Sequence, residues 1–471
     1  MNTVVGYYLM PHPPIVIPEI GKSLETKING TKQACELIAD EIKEKNVETI
    51  VVITPHGPVF SDAIAISDAK SIKGDLSQFG AKSISFEQSI DQELVEVILN
   101  DSKIRGIQTI GVNDHVLKQF NTDFNLDHGS TVPLYFINEK YKNFKLVHIT
   151  YGFLSETELY EFGMVIQDAI KRLGRKSVII ASGDLSHRLL EEGGAYSYSP
   201  SGKEFDQTIT KHLQEGDVEA IFDMNANMIE AAGECGLRSI YIMLGTMAGK
   251  SITGDLLSYE GTFGVGYAVM RFNRGDIDID YLNRIKEQKK EQFRDKLEHS
   301  DEYVKLARES LHYFYKHKQL MEVPNDLKEE LVNNKNGVFV SLKKAGQLRG
   351  CIGTILPTMN NVAEEIIRNA VEAAVKDPRF NQVEEYELLD LDVSVDVIMA
   401  PVPASRDELN PKQYGVIVSH EGNGGVLLPD LEGVNSVEQQ LEIVCQKAGI
   451  DKDSNYNIEK FEVVRHIEGE L

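Results

Sequence analysis

Residues 49–57, TIVVITPHG, run six β-branched side chains straight into a proline, a histidine and a glycine. β-branched residues suit a pleated surface and lose rotamer freedom in a helix, so 49–54 predicts a strand. Its end predicts a loop. Pro55 stiffens the backbone, and Gly57 permits a sharp turn behind His56. The same form, a strand delivering a loop histidine, recurs at 4–12 (VVGYYLMPH) and at 177–187 (SVIIASGDLSH). His12 has a proline on each side.

Outward from these runs, further strands are expected at 107–112, 145–151, 252–260 and 264–272. Helical patterns lie near 21–46, 88–101, 154–173 and 202–214, and another helix is expected to start at Glu234. Such alternation predicts an α/β domain with a central sheet over residues 1–273. Residues 274–300 are charge-dense and read as a linker or as the start of the next domain's first helix. A second domain is expected over 290–471. Its strands at 337–343, 391–399 and 460–465 and helices at 303–317, 361–376 and 436–448 lack a steady βα rhythm, which suggests α+β.

The 471 residues allow two to three domains, and 42% hydrophobic content supports full cores. With 49 Lys and Arg against 73 Asp and Glu, the net charge is −24. A surface that acidic repels phosphate backbones and anionic lipids, so neither nucleic acid nor membrane is an expected partner; solubility alone also accounts for it. No apolar run approaches the roughly 18 residues a bilayer requires. The start MNTVVGYYLM lacks a basic region and cleavage site, and Cys35, Cys235, Cys351 and Cys445 form no CxxC pair. A cytoplasmic location with reduced thiols is the expectation.

Ligand crevices form where the strands of an α/β sheet end. A single histidine there serves equally well as a hydrogen-bonded structural residue. Two in proline-stiffened loops, His12 and His56, with His187 nearby, point to a metal. Glu234, in AAGECGLRS, offers a carboxylate, or a first-turn acid complementing a helix dipole. Two histidines and a carboxylate with open positions suit ferrous iron that binds substrate and dioxygen together.

The segments MPHPP, TPHG, LDHGSTVPL, SGDLSH and GECG, in that order over residues 5–272, resemble the class III extradiol ring-cleavage dioxygenases. That is the LigB-like family of the protocatechuate 4,5-dioxygenase catalytic subunit. The resemblance implies iron ligands at His12, His56 and Glu234, an acid/base histidine at His187 and a substrate-side histidine at His128. It implies a catechol-type aromatic substrate and dioxygen. The domain also looks like the Memo proteins, which carry a cysteine near the third ligand. Cys235 is thus the alternative to Glu234, suited to a different metal or a redox role; zinc and manganese remain open. Asp127 and Asp184 are candidates to orient the imidazoles, or are ordinary loop acids. Arg188 and Arg238 are candidates to hold an anionic group, or are solvated or paired with acids.

In the second domain QLRGCIGT (347–354), DPRF (377–380) and LDVSVDVIMAP (391–401) resemble the AMMECR1 domain over about 290–468. Its hallmark is present as Leu348, Arg349, Gly350, Cys351, Ile352 and Gly353. Cys351 reads as a reactive thiolate or as a small buried filler. With Arg349 and Asp396 or His420 it is expected to line a cleft, and 425–430 to form another wall. The combination resembles the A and B proteins of the AmmeMemoRadiSam system, whose third member is a radical SAM protein. That protein's cluster-binding cysteine motif is absent here, so such a partner would be a separate chain. Two functions follow: an Fe(II)-dependent extradiol-type oxidoreductase, or a metal-binding component of a multi-protein modification system.

Overall fold

The computed structural model describes residues 3–120, 124–344, 346–431 and 433–469. The chain divides into two compact units, Met1–Gln288 and Lys289–Leu471.

The strands of the first unit are β1 (Val4–Met10), β2 (Thr49–Thr54), β3 (Ile64–Ser67), β4 (Ser71–Leu76) and β5 (Ala81–Ser89). They continue with β6 (Thr109–Val112), β7 (Lys145–Thr150), β8 (Ser177–Ser182), β9 (Ile252–Glu260) and β10 (Tyr267–Arg274). Its helices are α1 (Pro18–Gly21), α2 (Asn29–Lys45), α3 (Gln92–Ile104), α4 (Asp114–Phe120) and α5 (His128–Lys140). Then come α6 (Glu156–Leu173), α7 (Pro200–Glu215), α8 (Val218–Phe222), α9 (Ala226–Ala232) and α10 (Leu237–Thr246). Eight strands form one mixed sheet in the order β6-β3-β7-β2-β8-β1-β10-β9, and β4 and β5 pair as a separate hairpin. This is an α/β unit. Its four middle strands, β7, β2, β8 and β1, are parallel. Every residue of β2 and β8 is buried, because helices cover both faces of the sheet; this is why they read as unbroken apolar runs.

β3, β4 and β5 were not anticipated. β3 has only four residues, and the exposed faces of β4 and β5 carry polar side chains that resemble a loop. β5 takes the start of the helix expected at 88–101, which begins instead at Gln92. Helix α5 contains Pro133, a residue that argues against a helix interior when read in isolation.

Helices α6 and α10 cross with backbones nearly touching. A Cβ on Gly163 would lie 2.1 Å from the Ile242 carbonyl oxygen, and one on Gly245 would lie 2.0 Å from that of Tyr160. That close crossing seats α10 against the sheet and so sets the position of the turn preceding it.

In the second unit, α11 (Tyr281–Glu298) runs across the division and is followed by α12 (Glu302–His317), α13 (Glu329–Asn333), α14 (Val362–Val375) and α15 (Val437–Ala448). Strands β11 (Gly337–Lys344), β12 (Gln347–Gly353), β13 (Leu391–Ile398) and β18 (Val463–Ile467) form one antiparallel sheet. Strands β14 (Val402–Pro403), β15 (Gly415–His420), β16 (Asn423–Leu427) and β17 (Asn457–Phe461) form another. Each sheet has its own small core, with α12 and α14 on the first and α15 on the second, an α+β arrangement. Buried Arg308 joins its elements by pairing with Glu468 and donating to the carbonyls of Leu388 and Leu391.

Gly163→Ala should destabilise the protein. Alanine favours an ordinary helix interior by about 1 kcal/mol. Here the added methyl meets backbone, and overpacking of that kind costs roughly 1–3 kcal/mol. The denaturant midpoint of the first unit should therefore fall; an unchanged or higher midpoint would mean that the helices are not held this close.

Candidate metal centre

The register of the parallel strands brings their carboxyl ends to one edge. Met10 stands beside Ser182, Ile53 beside Ala181, and Thr54 beside Thr150. The residues just past those ends are therefore neighbours in space, and they include His12, His56 and Asp184.

His12 is buried. Its backbone N–H donates to Asp184 Oδ1 (2.9 Å), and its ring Nδ1 meets Ser182 Oγ at 2.9 Å. The Ser182 hydroxyl donates to the Gly129 carbonyl, so its lone pair accepts the proton on His12 Nδ1. That arrangement leaves Nε2 bare. Burial and neighbouring imidazoles push the His12 pKa down to about 3, which keeps the ring neutral.

The bare Nε2 of His12 lies 3.0 Å from Nε2 of His56 and 3.6 Å from Cys235 Sγ. The three donor atoms all lie within 4.8 Å of one another. Bonds of roughly 2.0–2.3 Å to one ion span separations of this order. Two imidazole nitrogens and a thiol fit a single divalent cation. His56 is the solvent-facing member, and the other two are buried.

The structure separates the two adjacent candidates for the third donor. Glu234, preferred from sequence, turns its carboxylate to the start of α10 and accepts the Leu237 N–H at 2.6 Å. An opening helix turn has N–H groups without partners, and a neighbouring carboxylate is drawn to them. Cys235 points into the site instead. Its Sγ accepts the Asp184 N–H at 3.3 Å, and the helix expected from Glu234 starts at Leu237.

Asp184 and Asp127 both lie behind the histidines. Asp184 Oδ2 is 3.8 Å from His12 Nε2, and burial pushes its carboxyl up to about 6. Asp127 caps α5 and accepts from Ser130 N–H (3.2 Å) and from Thr54 Oγ1 (2.6 Å). Burial alone would raise its pKa, yet hydrogen bonds from His148 and Thr54 hold it below the usual carboxylate range. His148, 3.2 Å from Asp127 Oδ2, was missed. It sits inside β7 and is wholly buried, so no loop or motif marks it. Thr54 Oγ1 also accepts the His56 N–H at 3.3 Å, which ties the His56 loop to the same acid.

His128 opens α5, and its ring stacks on His56 at 4.2 Å and meets His12 edge-on at 5.3 Å. Phe79 meets the same ring edge-on at 5.6 Å. His187 is half-buried with its ring stacked on Tyr196 at 5.1 Å, and burial lowers its pKa. Its loop is clamped from behind. Buried Asp206 accepts the Ser186 N–H (2.8 Å) and the Tyr259 hydroxyl (2.6 Å), while Ser186 Oγ donates to Ala232 O (2.9 Å). Arg188 is half-buried beside His187, and Arg238 lies over the Phe153 ring at 5.0 Å.

In the second unit, Leu348–Gly353 lies within β12, an edge strand of its sheet. A Cβ on Gly350 would stand 2.1 Å from the Ala373 carbonyl oxygen, so glycine lets the strand lie against α14. Arg349 pairs with buried Glu387 (3.0 Å) and donates to Asn381 O (2.7 Å). DPRF closes the strand's free edge: Asp377 accepts the Cys351 N–H (2.9 Å), and Arg379 donates to the Cys351 carbonyl (3.3 Å). Cys351 is half-buried and its Sγ accepts from Ser341 Oγ at 3.3 Å. Of the residues expected to line a cleft with Cys351, Asp396 lies on β13 of the same sheet. Arg465 of β18 engages Asp396 (2.8 Å), and His420 ends β15 in the other sheet.

Asp206 gives this loop a pH signature. Burial pushes its carboxyl up to about 7, well above the ordinary 3.8. The folded state therefore holds a proton that the unfolded state releases, and stability falls as pH rises from about 4 to about 7. Asp206→Asn should remove that slope, matching wild type near pH 4 and exceeding it at pH 8 by on the order of 4 kcal/mol. Denaturant titrations at the two pH values check this; a parallel loss of stability at both would show that the carboxylate itself is required.

Comparison with known proteins agrees with this architecture. The family model "Catalytic LigB subunit of aromatic ring-opening dioxygenase" matches residues 6–270, and the AMMECR1 model matches residues 304–466. A protein of Clostridium acetobutylicum is 49% identical over 464 residues, 98% of this chain and 99% of the relative. A protein of Thermotoga maritima is 46% identical over 168 residues, 35% of this chain and 96% of the relative. Among solved structures, an uncharacterized protein from Pyrococcus horikoshii aligns with a TM-score of 0.33 and 31% identity. It covers 36% of this chain and 90% of that one. No helix among the described residues is long and apolar enough to cross a membrane. With residues 6–270 matched, more than half of its length, the chain belongs to the LigB family of aromatic ring-opening dioxygenase catalytic subunits, here joined to an AMMECR1 domain.

Proposed function

We propose that the first unit is a metal-dependent oxidoreductase. It acts with dioxygen on a catechol-type or related small molecule, at an ion held by His12, His56 and Cys235. The observation that carries this reading is the facing pair of imidazole nitrogens, 3.0 Å apart, with a thiol 3.6 Å from one of them. A redox-active ion held there, ferrous iron foremost, would supply electron exchange between substrate and dioxygen. A thiolate donor weighs against manganese, while zinc would fill the site without redox chemistry.

The remaining work falls to the chain's own side chains. Ser182 holds His12 in the tautomer that presents a bare Nε2. His187 is held neutral near pH 7 by its lowered pKa, so its ring nitrogen is free to take a phenolic proton. Tyr196 fixes that ring by stacking. His128, stacked on His56 and met edge-on by Phe79, is placed to hydrogen-bond a substrate hydroxyl.

A thiol in place of a carboxylate, with an AMMECR1 domain attached, also favours a second reading. In it the chain is a metal-binding component of a modification system with a separate radical SAM partner, and no ring is cleaved.

Anaerobic calorimetry with Fe(II) should show stoichiometric binding to wild type and to Glu234→Gln, and its loss in His12→Ala and Cys235→Ser. Retained binding in Cys235→Ser would remove the thiol from the site. An oxygen electrode with catechol, protocatechuate and gallate then separates the two readings. Uptake that His187→Gln abolishes, with the metal kept, supports the oxidoreductase; tight metal binding without uptake on any of them supports the component.

A further inference from the structure

The first unit contains eight arginines, and five of them pair with carboxylates: Arg105, Arg172, Arg175, Arg271 and Arg284. Of the others, Arg274 donates to the Ala248 carbonyl at 2.8 Å, and Arg238 lies over the Phe153 ring beside Glu234. Arg188 has neither kind of partner: no carboxylate, carbonyl or ring among the described residues engages its guanidinium. Its backbone, by contrast, is fully tied. Its N–H donates to Ser186 Oγ (3.0 Å), and its carbonyl accepts from Ser199 (3.0 Å).

This is unusual in a chain of net charge −24, where carboxylates are plentiful. Arg188 is half-buried, and partial desolvation of an uncompensated cation is unfavourable. Its Nε passes over Gly233, 3.0 Å from where a Cβ would stand, so the side chain lies against the turn that leads to Cys235. It also follows His187 directly in sequence, in the loop that Asp206 and Ser186 hold rigid. A cation on a rigid mount, kept clear of internal acids and next to the candidate centre, is arranged for an anion from outside.

We propose that Arg188 is an oxyanion anchor, binding a carboxylate or phosphate group of the substrate beside His187. The proposal rests on the reading of this unit as a small-molecule enzyme and adds the substrate's charge to it. A guanidinium presents parallel N–H donors that match the two oxygens of either group, which an ammonium does not. The anchor would also give selectivity between acidic and neutral aromatic molecules despite the protein's overall negative charge.

Phenylglyoxal labelling of the full-length protein, read by peptide mass spectrometry, tests this without metal or catechol. Benzoate and inorganic phosphate are the probes. One of them should slow modification of Arg188 by about tenfold, while exposed Arg284 is unaffected. Protection by benzoate alone assigns a carboxylate; protection by phosphate alone assigns a phosphate. No protection by either overturns the anchor. Metal-loaded protein is then titrated with protocatechuate and its neutral amide. Wild type should prefer the acid, and Arg188→Met should lose that preference while Arg188→Lys regains only part of it. Where benzoate protects, equal affinities in wild type would also overturn the proposal. Protection of Arg188 together with no turnover of any catechol would leave the anchor standing and overturn the oxidoreductase reading instead.

Discussion

Four parallel strands, buried on both faces, end side by side at one edge of the sheet, and nearly everything in the first unit depends on that register. With Met10 beside Ser182 and Ile53 beside Ala181, the next residues of β1, β2 and β8 have to share one small volume. A one-residue slip of any strand would turn its side chains to the opposite face and scatter the group. The continuous apolar strands make such a slip costly, because helices seal both faces. The site's geometry is therefore a product of core packing as much as of the loops that carry it.

Acids placed behind the histidines provide the next level of order. Asp127 holds the start of α5 and, through Thr54, the His56 loop; Asp184 holds the His12 backbone; Asp206 holds the loop of His187. Each is buried, and each is compensated by N–H or O–H donors rather than left to solvent. Their pKa values diverge accordingly. Asp127 is held low by hydrogen bonds, while Asp184 and Asp206 are raised by burial. Similar residues thus titrate in different pH ranges because their immediate partners differ.

The second unit shows a conspicuous motif put to structural use. Arg349 is locked to Glu387, Gly350 lets β12 lie against α14, and Asp377 and Arg379 cover the strand's open edge. An uncovered edge would invite pairing with another chain, so the contact between the hexapeptide and DPRF protects the fold. Cys351 retains partial exposure within this frame, whereas Cys35, Cys235 and Cys445 are buried.

Strand runs such as 4–10, 49–54 and 177–182, and the helices at 154–173 and 202–214, were legible because periodicity and β-branching are local properties. So was the gathering of His12 and His56, since both follow strands and strand ends meet at one rim. The choice between Glu234 and Cys235 was not. Adjacent residues leave the backbone in different directions, and only the packed position of α10 shows which one enters the site. His148 was equally hidden: it lies in the buried run of β7, and its partner, Asp127, comes from a helix start 21 residues earlier in the chain. Sequence by itself determined the elements and the donor types on offer, because those follow from neighbours along the chain. Tertiary structure alone decided which donors meet, because that depends on register and helix packing between segments far apart in sequence.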